Sequence, residues 1–492
     1  MRDLQIAFIT NPGVKRWMRI LSIMEREQTF TIVSLSERLT ISQRTLIKDI
    51  QSIKDHFQES IVVQSNNSGF RFKEKDRLAY QEKKEELLVN EVLFELVEQI
   101  FYGENTRLDE LAHHYSYAES TLRRFLSKIE PYLESYGLRL SLNPVSFIGD
   151  EANIRKFFFD FYYNGEQTPY MIRPPEGLHT LFLAELSEDL GNYEVGTGVS
   201  TSAFYFLLYV TMVRVQQKKR LSLPPWIKSI VSKETDMALL LRFSRVIHQE
   251  YGILLEEEEL IWLYLMLIGT RTIDRYDQET CFLTRYNQWP AVKKLATEYF
   301  SDPLFDGWDK PILECFLASF LASRQLNDVL YSVWNKQLAE EIAVIKSDHR
   351  EAYKKNFTFL KKHHKTLPLS EKYREDVAVS LTLMVDLLIN YYQPVKHIVF
   401  LLEGEALLVQ TIRLQAQRYL GTQYVLVFLP LHELTEERLK AEEIDLIVTN
   451  YRPYILDYSL RKEYVLINTM PTQSDWERIQ YALNPLVDHY SL

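Results

Sequence analysis

The sequence predicts a mainly α-helical chain of several domains whose character changes twice along its length. Three observations lead there. Three short helices followed by a small hairpin are written into residues 14–73, and a related pattern returns before residue 150. From about 150 to 392, long helical segments alternate with polar breaks. After Pro394, short apolar runs alternate with helical stretches. With 492 residues and 46% hydrophobic content the chain can bury substantial cores. A single core does not grow to that size, so roughly three to five domains are expected.

In the first pattern, Trp17–Glu27 carries Trp17, Ile20, Leu21 and Met24 at helical spacing. Ser34-Leu-Ser-Glu37 has the capping-box pattern and predicts a short helix from Ser34 to near Thr40. Ser42 caps a longer helix on which Leu46, Ile50, Ile53 and Phe57 form one buried stripe. Ile61-Val-Val63, Asn66-Asn-Ser-Gly69 and Phe70-Arg-Phe72 read as strand, tight turn and strand, with Gly69 supplying a backbone angle that other residues resist. Helices closed by such a hairpin make a winged helix-turn-helix.

The pattern recurs without a gap. Leu35-Ser-Glu-Arg-Leu39 through Arg44-Thr-Leu46 lies over Leu111-Ala-His-His-Tyr115 through Ser120-Thr-Leu122. The stripe returns as Leu122, Leu126, Ile129 and Leu133. A second hairpin follows, with Leu138, Leu140 and Leu142 alternating, a turn at Asn143-Pro144, then Val145 and Phe147. Helix, stripe and wing matching in order predict two tandem units.

The middle reads as two helical bundles. Helical segments are expected over Phe204–Gln217, Thr235–Glu250, Glu256–Thr272, Ile312–Ser323, Leu330–Ile345 and Glu371–Tyr391. Breaks fall at Arg173-Pro-Pro175, Gly196-Thr-Gly198, Leu223-Pro-Pro225 and Thr366–Pro368. At the C-terminus, strands are expected at His397–Leu402, Tyr424–Leu429, Asp445–Thr449 and Tyr464–Asn468. Helices are expected at Ala406–Tyr419, Glu436–Ala441 and Gln473–Leu483, which together make a small parallel α/β domain. The expected divisions are 1–80 and 81–150 for the winged units, 151–284 and 285–392 for the bundles, and 393–492 for the α/β domain.

Composition excludes several classes. No basic region followed by an apolar run opens the chain, and no stretch is long and apolar enough to span a bilayer, so a cytoplasmic location with no membrane partner is expected. Cys281 and Cys315 form neither a disulfide framework nor a zinc pair. No phosphate-cradling glycine loop, zinc-protease helix, nucleophile elbow or dinucleotide fingerprint occurs, so no catalytic residue, cofactor or metal is expected. The net charge is −10, yet Val14–Lys73 holds ten Lys and Arg against six Asp and Glu. A basic head on an acidic body fits a chain that meets DNA through one region.

In a helix-turn-helix, the N-terminal turn of the second helix enters the major groove. With Leu46, Ile50 and Ile53 inward, Gln43, Arg44, Thr45 and Lys48 face out, and Arg71 and Lys73 follow the wing tip. Arginine can bond guanine bidentately, glutamine adenine, and lysine a phosphate. The second unit offers Ser120, Thr121, Arg123 and Arg124, with Glu119 set against phosphate. The plainer alternative for either face is a solvated helix surface. His113-His114, His363-His364 and His432-Glu433 read as packed or solvated groups. Lys218-Lys-Arg220 reads as a helix end that complements its dipole, with phosphate binding as the alternative. Phe157-Phe-Phe159, Phe161 and Tyr162 read as core.

This order of parts, carried by Ser42–Phe57, Ser116–Leu133 and His397–Thr449, resembles the Mga/AtxA-type virulence regulators of Gram-positive bacteria. The resemblance covers essentially the whole chain. It implies a DNA-binding transcription regulator whose bundles are similar to phosphotransferase-regulation (PRD) domains and whose last domain is similar to enzyme IIB of the sugar phosphotransferase system. It also implies homodimerisation through the C-terminal region and phosphate input from phosphocarrier proteins. The sequence departs from that pattern: Phe204–Arg214, Phe316–Arg324 and Glu259–Ile268 hold none of the usual histidines, and Phe400-Leu-Leu-Glu-Gly404 has no phosphocysteine. His248, then His179, are the candidate phosphate acceptors, against a packing role for each. Two other readings stand beside the regulator. One is a phosphate-transfer enzyme, opposed by the missing cysteine. The other is a scaffold or signalling protein of the phosphotransferase system that does not bind DNA.

Overall fold

Ser42 organises the N-terminal region. Its side-chain oxygen accepts from the Thr45 amide at 3.2 Å and starts the helix Gln43–Phe57. Leu46, Ile53 and Phe57 on this helix are fully buried, and each such side chain contributes about 1.5–3 kcal/mol. The computed structural model describes residues 1–66, 69–104, 106–185, 201–421, 424–430, 433, 435–439, 444–457 and 463–483. The expected Gly196-Thr-Gly198 break, His432 and Asn67–Ser68 of the first wing tip lie outside the described residues. The chain divides into two units. One comprises Met1–Trp289, Leu321–Ala343 and Pro368–Val377; the other comprises Pro290–Phe320, Val344–Leu367 and Ala378–Leu492.

In the first helix-turn-helix pattern, two helix starts differ from expectation. The helix expected from Trp17 begins at Pro12, because Asn11 caps the Gly13 and Val14 amides and Pro12 is pre-set for the first helical position. The helix expected from Ser34 spans Ile32–Leu39, because the Thr31 hydroxyl accepts from the Ser34 amide at 3.1 Å. Thr31 is fixed there because Thr29–Phe30 forms a two-residue strand, β1, immediately before it. Strands β2 (Ile61–Asn66) and β3 (Gly69–Glu74) pair antiparallel, with Asn66 opposite Gly69. β1 adds to the other edge of β3, giving the order β1-β3-β2. Gly69 has φ +134, and a Cβ there would stand 2.5 Å from the Phe30 carbonyl oxygen. Glycine is required by both angle and space.

The second repeat is built on the same frame. Helices Leu108–His114 and Glu119–Ser135 are followed by β4 (Arg139–Leu142) and β5 (Val145–Ile148), which pair antiparallel. Ile32 and Leu108, Thr40 and Ser116, and Gln43 and Glu119 stand the same distance apart in sequence. Thr40 and Ser116 both have φ +55, so both inter-helix turns use a left-handed residue that is not glycine. Leu122, Leu126, Ile129 and Leu133 are buried where Leu46, Ile50, Ile53 and Phe57 are buried in the first repeat.

Beyond β5, the helix Glu151–Phe158 runs into a π-helical turn at Phe159–Tyr163. Phe157, Phe158, Phe161 and Tyr162 are buried, as expected of core. Arg155 bonds Glu151 at 3.0 Å and Glu259 at 2.6 Å, and Arg214 bonds Glu151 at 2.8 Å. These four side chains lie at most 10% exposed. They tie Glu151–Phe158 to Thr201–Gln216 and Glu257–Ile268. Burial works to raise the Glu151 carboxyl, but the Arg214 and Arg155 guanidiniums outweigh it and hold that carboxyl below its ordinary value. Gln217 Nε2 also donates to the Phe101 carbonyl at 2.7 Å.

The helix expected over Leu330–Ile345 is not continuous. Lys310–Tyr331 ends, a 3₁₀ turn follows at Ser332–Asn335, and Ala339–Asp348 begins separately. Buried Asn335 donates to the Arg324 carbonyl at 2.9 Å, and the Gln337 amide donates to Asp376 at 2.8 Å. Both bonds hold the backbone off a helical path.

In the other unit, β6 (His397–Leu401), β7 (Val425–Phe428), β8 (Leu446–Thr449) and β9 (Tyr464–Leu466) form a parallel sheet in the order β7-β6-β8-β9. Ile398, Phe400, Leu446 and Val448 pack on one face with Ile412, Ala416 and Leu420 of Ala406–Leu420 and Trp476 and Ile479 of Gln473–Leu483. Val399, Leu401 and Ile447 pack on the opposite face with Tyr454.

Candidate nucleic-acid interface

Helix Gln43–Phe57 is locked from behind. Asp49 is buried and accepts from Arg16 Nη2 at 2.8 Å and Trp17 Nε1 at 3.2 Å, with a further close contact from Arg16 Nε. The hydrogen bond to Asp49 holds the Arg16 guanidinium above its usual range. The clasp fixes the rotation of the helix, so its other face is presented reproducibly.

On that other face, Gln43, Arg44 and Lys48 are exposed and Thr45 is half-buried, its hydroxyl 2.8 Å from the Ser42 hydroxyl. Arg44 and Lys48 make no ion pair among the described residues. Arg71 and Lys73 are exposed on β3, while Phe72 between them is buried. Sequence reasoning missed Ile47 and Gln51. Both are exposed on the turn that continues from Gln43 and Arg44, and Ile47 is 57% exposed. The available signal was their helical spacing from those two residues.

The second unit differs. Ser120, Arg123 and Arg124 are exposed and Thr121 is half-buried. Arg123 pairs with Glu119 at 3.3 Å, and Arg124 and Lys128 both lie 5.9 Å from the Phe125 ring centre. Glu119 therefore offsets the charge of an arginine on its own exposed helix face.

The candidate phosphate acceptors are both exposed. His248 lies in the last turn of Met237–Tyr251, and His179 packs edge-on to Tyr205 at 5.4 Å. At the carboxyl ends of β6 and β8, where a parallel sheet of this order opens its crevice, the Glu403 amide donates to Asn450 at 2.8 Å. Asn450 donates back to the Glu403 carbonyl at 2.8 Å, and the Tyr454 hydroxyl donates to the Glu403 carboxylate at 2.6 Å. Among the described residues, no group of three or more His, Cys, Asp or Glu side chains could hold a metal ion, and no helix is long and apolar enough to cross a membrane.

These parts define a mainly helical chain that carries a helix-turn-helix domain: residues 77–162 match the Mga helix-turn-helix domain. The chain is similar to the capsule synthesis positive regulator AcpB of Bacillus anthracis, 26% identical over 270 residues, covering 53% of this chain and 54% of that protein. It is similar to the capsule synthesis positive regulator AcpA of the same organism, 22% identical over 273 residues, covering 53% and 55%. A putative trans-acting regulator of Streptococcus pneumoniae is 24% identical over 175 residues, 35% of each chain. The chain thus spans about half the length, or less, of the curated relatives it matches. The resemblance to Mga/AtxA-type regulators read from the sequence is borne out as a similarity: part of the chain matches the Mga helix-turn-helix domain, and the chain is similar to two capsule synthesis positive regulators.

Proposed function

We propose that this chain is a DNA-binding transcription regulator that grips double-stranded DNA through two tandem winged helix-turn-helix units, residues 1–80 and 81–150. One observation carries the reading. The same helix, left-handed turn and helix are built twice, and the first copy leaves Arg44 and Lys48 exposed without an ion pair among the described residues. The regulator names of the relatives support it. Segments 151–284 and 285–392 are read as phosphotransferase-regulation-like bundles and 393–492 as an enzyme-IIB-like domain. Exposure of His248 and His179 supports their reading as acceptors from phosphocarrier proteins. Residues 393–492 are read as the part through which two copies of the chain pair. The protein acts in the cytoplasm.

Gel shifts of the full chain at varied salt test the reading. Wild type should lose affinity steeply as salt rises. Lys48→Ala should lower the log–log slope by about 0.9, the value of one phosphate contact. Arg44→Ala should weaken selected DNA by about 1–3 kcal/mol. A wild-type chain that binds no DNA at low salt overturns the regulator reading in favour of a scaffold. Labelling with phosphoenolpyruvate and the general phosphotransfer proteins, on wild type and His248→Ala, tests the phosphate input. Light scattering on a chain truncated before Gln393 tests pairing: a folded, dimeric truncation overturns it.

A further inference from the structure

The two repeats present unlike surfaces to a groove. Laid over each other, Gln43 corresponds to Glu119, Arg44 to Ser120, Ile47 to Arg123, Lys48 to Arg124 and Gln51 to Ser127. In the second repeat, the arginine placed like Ile47 pairs with Glu119 at 3.3 Å on the exposed face, and that carboxylate brings a negative charge toward the phosphates where the first repeat has neutral Gln43. In the first repeat, Gln43, Arg44, Ile47, Lys48 and Gln51 form one exposed stripe. Ile47 is its only apolar member and is 57% exposed, whereas Leu46, Ile50, Ile53 and Phe57 of the same helix are all buried. The Asp49 clasp fixes the helix rotation, so Ile47 cannot turn inward.

From this, and resting on the DNA-binding reading above, we infer that sequence selectivity resides in the first unit and that Ile47 is a specificity-determining residue that packs on the 5-methyl group of a thymine. In the major groove, thymine is the base that presents a methyl, and an aliphatic side chain is the group that reads it. A branched aliphatic flanked by a guanine-reading arginine and a phosphate-reading lysine suits that task. A polar residue at the same place would meet the O4 acceptor and leave the methyl unread. The second unit, with its internal Glu119–Arg123 pair, holds backbone and adds little base preference.

The experiment uses the full chain. Binding sequences are selected from a randomised duplex library with wild type and with Ile47→Ala. Thermal melting is run alongside, and an exposed side chain should leave it unchanged. In the sequence wild type selects, each thymine is then replaced in turn by deoxyuridine, which removes only the methyl. One replacement should weaken wild type about fourfold, the value of one buried carbon, and should leave Ile47→Ala unaffected. That variant should also lose its preference for thymine over cytosine at the same position. Arg123→Ala should leave the selected sequence unchanged. If wild type selects a sequence but every deoxyuridine replacement acts equally on both proteins, or on neither, this inference fails and the DNA-binding reading survives. If wild type binds DNA but selects no sequence, this inference fails and the DNA-binding reading survives; if wild type binds no DNA at low salt, both fall together.

Discussion

Removing Asp49 should loosen the helix Gln43–Phe57 without touching its outward face. The carboxylate is 7% exposed and receives both Arg16 and the Trp17 indole, while Arg16 is 33% exposed. A hydrogen bond to a charged group contributes about 1.5–3 kcal/mol, and breaking a buried pair costs about 3–5 kcal/mol. Arg16 is partly open to water and regains some hydration, so Asp49→Ala should cost about 2–3 kcal/mol. Trp17→Phe, which removes one bond and keeps the ring, should cost about 1 kcal/mol. Hydrogen exchange on the full chain reads this locally. Amides of Gln43–Phe57 should exchange about 30- to 150-fold faster in Asp49→Ala. The double variant Arg16→Met/Asp49→Leu should recover most of the loss, since an apolar pair of similar volume often replaces an ion pair without cost. Unchanged exchange in Asp49→Ala, or a double variant as loose as the single one, would refute the clasp.

Three further outcomes follow from the fold. Gly69→Ala should destabilise the first hairpin by about 1–3 kcal/mol, since it combines a left-handed angle with a Cβ driven into the Phe30 carbonyl. Faster exchange at β2 and β3 with the Glu119–Ser135 helix unaffected is the expected signature. Glu259→Ala should cost about 3–5 kcal/mol by leaving Arg155 buried with half its partners, and a drop in melting temperature checks it. Asp475 supplies a pH dependence. Burial works to raise its carboxyl, but the Thr472 amide, Asn468, Arg478 and the Thr472 hydroxyl outweigh it and hold it far below the ordinary range. Its stabilisation is therefore fully present above the unfolded value of about 3.9 and is lost as pH falls below that toward the lowered folded value. Urea melts followed by exchange at Gln473–Leu483 should weaken on acidification in wild type and flatten in Asp475→Asn, which starts weaker at pH 7.

Long apolar stripes were legible in the sequence. Leu46, Ile50, Ile53 and Phe57, and their counterparts from Leu122 to Leu133, fixed two helices and their inward faces because period and burial agree. The α/β alternation after Pro394 was legible for the same reason: its central strands β6 and β8 are short apolar runs buried on both faces. Local competition was harder to read. Ser34-x-x-Glu37 looks like a helix start, yet Thr31 won because a two-residue strand, too short to show any periodicity, had already fixed the chain there. The continuous helix expected over Leu330–Ile345 failed on Asn335, whose partners, the Asn327 side-chain amide and the Arg324 carbonyl, lie on the preceding helix beyond the reach of local spacing rules. At the candidate interface, Arg44, Lys48, Arg71 and Lys73 were identified from their chemistry. Ile47, which lies off the buried stripe, was passed over because the outward face was read for its polar side chains alone, and its exposure is what draws it in. The Glu119–Arg123 pair was within reach of i, i+4 reasoning, which shows that Glu119 spends its charge on its own helix.

The four buried charges Arg155, Glu151, Arg214 and Glu259 have a mechanical meaning. Glu151 follows β5 by only three residues, so the second hairpin is mounted on a helix bolted to two others by bonds that cannot slip singly without stranding a charge. Gln217 adds a strut from the same helical end to the carbonyl of Phe101, near the end of the helix Val92–Tyr102. Such a joint has no slack. A rotation of Thr201–Gln216 or Glu257–Ile268 would not be absorbed between bundle and wing; it would turn the wing with it, as a handle turns a blade.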